Sequence, residues 1–78
     1  MSPQRAWHNI LLQAYQERPG WRHAARRFVE QNPSFRENLG SLIRFMEYYP
    51  SMSTAYKQTL VRHTNDAIVR IKRQEKEN

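Results

Sequence analysis

Three breaks, at Pro19-Gly20, Asn32-Pro33 and Pro50, divide this 78-residue chain into four segments, and each segment repeats apolar residues at helical spacing. Proline removes an amide donor and clashes with the preceding turn, so a helix cannot run through any of these points. No segment alternates apolar and polar residues with period two, and no Asn-Gly or Asp-Gly pair offers a hairpin turn. The expectation is an all-α protein, a compact bundle of about four short amphipathic helices in one domain over residues 1–78.

The first helix is expected over residues 3–16. Ser2 can cap free amides, and Pro3 suits the first helical position, where its missing N–H would be unpaired anyway. Ala6, Trp7, Ile10, Leu11, Ala14 and Tyr15 form its stripe, with Leu12 off it. The second helix, residues 21–31, carries Trp21, Ala24, Ala25, Phe28 and Val29 on one face, and Phe28 is read as a fully buried anchor. The third, residues 35–49, opens with Ser34 and Glu37 at capping-box spacing and continues through Leu39, Leu42, Ile43, Met46 and Tyr49. Gly40 is an interior liability of about 1 kcal/mol relative to alanine, tolerable where a neighbouring helix packs close. The fourth, residues 54–73, is capped by Ser51 or Ser53. It turns Tyr56, Leu60, Val61, Thr64, Ala67, Ile68 and Ile71 inward, and the polar residues 74–78 are expected to fray.

Composition narrows the chemistry. There is no cysteine, so disulfides, thiol nucleophiles and thiolate metal sites are excluded. A hydrophobic fraction of 38% with 12% aromatics is too rich for a disordered tail. No apolar run reaches the roughly 18–20 residues of a membrane span, and the amino terminus lacks a signal-peptide segment. A soluble, cytoplasmic protein without membrane contact is expected. So short a chain buries only about 60–65% of its unfolded surface, which makes a homodimer reasonable.

Catalytic groupings are missing from the pattern. His8, His23 and His63 fall on three different helices, and only His63 has a carboxylate, Asp66, at helical spacing. That is short of a metal site, and neither a glycine-rich elbow nor a phosphate loop is present. No enzyme, metal or cofactor is expected.

The charge is more informative. Lysine and arginine total 13 against 7 acids, giving +6. Arginine, with its planar multidentate fork, suits phosphate and carboxylate. Arg22, Arg26 and Arg27, with His23, form a cationic arc on the second helix, and Arg62, Arg70 and Arg73 lie on the fourth, where Asp66 sits between Arg62 and Arg70 at i±4 spacing and can neutralise them locally. A solvated face that keeps the protein soluble is the plain alternative. The second and third helices, joined by a short turn, weakly resemble a helix-turn-helix in which Arg36 and Asn38 would reach base edges, although the turn carries Asn32-Pro33 rather than glycine.

Phe45, Tyr48 and Tyr49 cluster before Pro50. Core packing is one explanation, and a protein-binding patch beside arginine is the other. Val69 also lies off its stripe. The expected function is therefore a small basic non-enzymatic regulatory module that binds DNA or RNA through Arg22, Arg26, Arg27, Arg36, Arg62, Arg70 and Arg73. The alternative is an adaptor or inhibitor that docks on an acidic protein surface, such as that of a nucleic-acid-handling machine, with Phe45, Tyr48 and Tyr49 as its partner patch.

Overall fold

The structure, a computed structural model, describes residues 1–77. Its helices are α1 (Pro3–Tyr15), α2 (Trp21–Gln31), α3 (Arg36–Tyr48) and α4 (Thr54–Glu77). Single 3₁₀ turns at Pro33–Phe35 and Tyr49–Ser51 lead into and out of α3. The described residues contain no strand. The all-α bundle expected from the apolar periodicity is what forms.

The helices alternate in direction, and α1 is their common neighbour. The α1–α4 contact is the most extensive, followed by α1–α2. Ser2 meets Glu75 at one end of the bundle while Glu17 meets Lys57 at the other, so α1 and α4 run antiparallel. Helix α2 returns along α1, placing Phe28 against Trp7 with ring centroids 6.0 Å apart. Helix α3 then runs with α1: Phe35 packs on Trp7, and Phe45 and Tyr49 pack on Tyr15.

One apolar cluster joins Trp7, Ile10 and Ala14 of α1 to Trp21, Ala25 and Val29 of α2 and to Leu42, Met46 and Tyr49. Ile68 and Ile71 of α4 are also buried, as is Thr64, whose hydroxyl donates to the Leu60 carbonyl at 2.8 Å and so enters the interior without an unpaired donor. Because neighbours flank α1 on more than one side, even off-stripe Leu12 is half-buried. Phe28, expected to be fully buried, is also only half-buried: it lies at the edge of the core, edge-on to Phe35 at 5.0 Å.

Local chemistry sets most helix ends. The Arg5 amide donates to the Ser2 side-chain oxygen, as the Ser2-Pro3 opening implied, and Ser53 caps α4 by accepting from the Tyr56 amide at 3.1 Å. The expected capping box does not form. Pro33 begins a 3₁₀ turn one residue early, which draws Ser34 into the turn and denies it the extended backbone an N-cap needs; Phe35 takes the cap position with no side-chain bond. Asn32 closes α2 instead, donating from its side chain to the Phe28 carbonyl at 3.0 Å.

Two further expectations are corrected at α4. Gln74 to Glu77 do not fray but continue the helix, because the Ser2 hydroxyl donates to the Glu75 carboxylate at 2.7 Å and Arg5 pairs with it at 3.4 Å. Asn78 lies outside the described residues. Tyr56 is 46% exposed rather than inward, at the margin of the inner row, while Lys57 lies over the Tyr49 ring, 5.2 Å from its centroid.

The two glycines behave oppositely. Gly20 caps α2 with φ +86, a left-handed conformation costly for any residue with a Cβ. Gly40 lies exposed within α3 with ordinary helical backbone, and a Cβ there would meet nothing within 4 Å; no neighbouring helix requires it. Gly40→Ala should therefore stabilise the fold by about 0.5–1 kcal/mol, whereas Gly20→Ala should cost about 1–2 kcal/mol. Urea denaturation of the two variants beside the parent checks this, and equal signs would contradict the helix boundaries given above.

Candidate functional site

The structure places all seven nominated arginines on the surface. Arg22, Arg26 and Arg27 occupy the outer side of α2, Arg36 starts α3, and Arg62, Arg70 and Arg73 line the outer side of α4. Among the described residues the only ion pairs within 4.0 Å are Arg5–Glu75 and Lys57–Glu17, so none of the seven has a carboxylate partner. Asp66 does not neutralise Arg62 or Arg70 as the i±4 spacing suggested. On a solvated helix face such pairs gain only a few tenths of a kcal/mol, and long side chains do not stay in them for so little.

The two rows differ in shape. At about 100° per residue, Arg62, Arg70 and Arg73 fall within roughly 80° of arc, whereas Arg22, Arg26 and Arg27 spread over roughly 140°. Arg22 is further committed, its guanidinium lying over the Trp21 ring at 5.4 Å from the centroid. The rows sit on two different helices, both packed on α1. Arg36 belongs to neither.

The aromatic patch divides. Tyr49 is completely buried, and its hydroxyl donates to the Tyr15 carbonyl at 2.6 Å, so it is a core residue and cannot touch a partner. The physical reason is the 3₁₀ turn at Tyr49–Ser51, which swings Tyr49 under the end of α1. Phe45 is half-buried and edge-on to Tyr15 at 6.0 Å. Tyr48 alone stands out, at 67% exposure. Beside Phe45 an open groove of ≈ 410 Å³ runs between α1 and α3, floored by Trp7, Leu11 and Leu42 and edged by Glu37 and Asn38.

Nothing metal-like assembles. No group of three His, Asp or Glu side chains that could hold an ion occurs among the described residues. The His8 ring lies 2.9 Å from the Gln4 carbonyl, and His23 and His63 are exposed. No described helix is long and apolar enough to cross a membrane.

Sequence reasoning missed a second cleft, of ≈ 400 Å³, between Tyr15 of α1 and Gln58, Val61, Arg62 and Asn65 of α4. Those four α4 residues recur at i, i+3, i+4 and i+7, the spacing of one helix face, but their mixture of amide, aliphatic and cation conceals them in an apolar pattern. Comparison of the chain with protein-family models, curated proteins and solved structures finds no match.

The tyrosine pair at the end of α1 has a measurable consequence. Burial raises both phenols above the usual 10.0, helped at Tyr15 by neighbouring Tyr56 and at Tyr49 by the Glu17 carboxylate and by Tyr15 and Tyr56. A raised folded-state value means the neutral form is favoured in the fold. The stability it contributes is complete below pH 10.0 and is lost as pH rises through the folded values. The melting temperature should fall above that pH. Tyr49→Phe should cost about 1–2 kcal/mol at neutral pH by leaving the Tyr15 carbonyl unpaired, and should flatten the alkaline fall. Thermal melts of both proteins at neutral and alkaline pH give the comparison.

Proposed function

We propose that this chain is a small, basic, non-enzymatic regulatory module that binds DNA or RNA through the arginine-rich faces of α2 and α4. The observation that carries the reading is the absence of any carboxylate within 4.0 Å of Arg22, Arg26, Arg27, Arg36, Arg62, Arg70 or Arg73 among the described residues. Exposed Glu30 and Asp66 lie within the two arginine arcs but outside ion-pair distance, so three cations outnumber one acid on each face. Rows of free guanidinium groups repel one another and gain most when a polyanion neutralises several at once, releasing its condensed counterions. The forked donor geometry of arginine also matches phosphate oxygens. The narrow α4 row suits a single backbone running along the helix, and the broader α2 arc supplies a second set of phosphate partners.

A second reading draws on Tyr48 and the groove beside Phe45. An exposed tyrosine next to a partly aromatic cleft and within helical reach of Arg44 is the composition of an interface anchor. On that reading the chain is an adaptor or inhibitor docked on an acidic protein surface.

Two triple variants separate these. Arg22, Arg26 and Arg27, or Arg62, Arg70 and Arg73, changed to glutamine should leave the helical circular dichroism intact, because all six are exposed. Each should weaken nucleic-acid binding and reduce the magnitude of the log–log salt slope by about 0.7–0.9 for every phosphate that the variant no longer neutralises. Phe45→Ala and Tyr48→Ala should leave that binding unchanged. Unchanged affinity and slope in both folded triple variants would refute the nucleic-acid reading, and failure of the aromatic variants to hold a protein partner would support the second.

A further inference from the structure

The α4 flank beside the arginine row is neither core nor ordinary polar surface. Gln58, Val61, Asn65, Val69, Lys72 and Lys76 succeed one another at spacings of three or four and so form one strip along the helix. At its start the strip walls the ≈ 400 Å³ cleft against Tyr15; the lining is mostly carbon and comes also from Thr54, Lys57, Gln58, Val61, Arg62 and Asn65. Further on it borders a second hollow of ≈ 390 Å³ lined by Arg5, Val69, Lys72, Arg73, Glu75 and Lys76. Val69 is 46% exposed there among four cations and the Glu75 carboxylate, which Ser2 and Arg5 already hold.

This arrangement suits one ligand chemistry. A flat apolar slot with an aromatic wall accepts the face of a nucleobase, and carboxamides supply both a donor and an acceptor for its edge. A free guanidinium at the rim takes the adjoining phosphate. Further cations along the strip continue the backbone path. Bases in a duplex keep their faces stacked and cannot enter such a slot without being extruded, whereas an unpaired base enters directly.

We propose that the α1–α4 cleft receives an unpaired nucleobase of a single strand, held against Tyr15 and Val61, edged by Gln58 and Asn65, with its phosphate on Arg62 and the strand continuing past Val69 toward Lys76. The inference rests on the nucleic-acid reading above and narrows it to single strands. Because either carboxamide can donate or accept, the site is tolerant of base identity.

The test measures anisotropy of a labelled oligothymidylate and of a labelled duplex of equal length across a salt series, using the full chain. The parent should bind the single strand about tenfold or more tightly than the duplex at matched salt, the factor one stacked base supplies. Gln58→Ala with Asn65→Ala, both exposed helical positions where alanine favours the fold, should reduce that preference severalfold, by the share the base edge carries, while duplex affinity and both salt slopes stay unchanged. Equal or tighter duplex binding, or a double variant whose preference is undiminished, overturns the cleft proposal while leaving the nucleic-acid reading intact. Absence of binding to either nucleic acid overturns both. Polyglutamate bound with the same dependence on Gln58 and Asn65 would replace the base with an acidic peptide and overturn the proposal as stated.

Discussion

The hydroxyl of Tyr49 donates to the main-chain carbonyl of Tyr15 across 34 residues of sequence, and the rest of the bundle is arranged around that bond. The Tyr15 carbonyl belongs to the last turn of α1 and has no intrahelical partner of its own. Supplying one from the far end of α3 fixes how far α3 slides along α1. Tyr15, Phe45 and Tyr49 then pack as one aromatic group, and Lys57 closes over the Tyr49 ring while reaching Glu17. The start of α4 is set by the same group.

With its first turn placed there, α4 runs back along α1 to the Glu75 clasp with Ser2 and Arg5. A helix held at both ends presents its outer face in a constant orientation. Its cationic row and the cleft beside it are thus positioned by the contacts at its two ends. Hydrogen bonding to Ser2, together with Arg5 and the chain's amino group, keeps the Glu75 carboxyl below its usual range despite some burial. The clasp therefore remains charged at neutral pH.

Much of the fold was legible in the sequence because burial repeats at helical period. Trp21, Ala25 and Val29 are buried as their spacing required, and Pro19-Gly20 and Pro50 fall at the breaks. The failures have local causes that periodicity does not encode. Ser34 has the spacing of a cap, but Pro33 starts the turn too early for it to act as one. Tyr56 stands at the margin of the inner row of α4, roughly 80° from buried Thr64 at about 100° per residue, and is exposed, while Lys57, roughly 20° from Thr64, lies over the Tyr49 ring. Gln74 to Glu77 look like a polar tail because the partners that hold them, Ser2 and Arg5, stand at the opposite end of the sequence. The seven arginines were readable as exposed because charge is expensive to bury. Tyr49 carried two readings, a place on the inner stripe of the third helix and a place in the aromatic cluster before Pro50, and its burial assigns it to the core. The α1–α4 cleft was invisible for a different reason: its lining comes from two helices far apart in sequence, and neither helix alone carries its pattern.

Ala14 and Ala25 are completely buried, in the two helices whose approach forms the centre of the cluster. Their methyl groups are enclosed on all sides in a body only 19 Å across its shortest axis, so extra volume there has little room. A larger side chain is therefore costly at two of the plainest residues in the chain. A valine at either site would wedge α1 from α2, and because α4 is seated on α1, the charged outer face would shift with it. The spacing of that face from the rest of the molecule thus depends on two buried alanines that carry none of its charge.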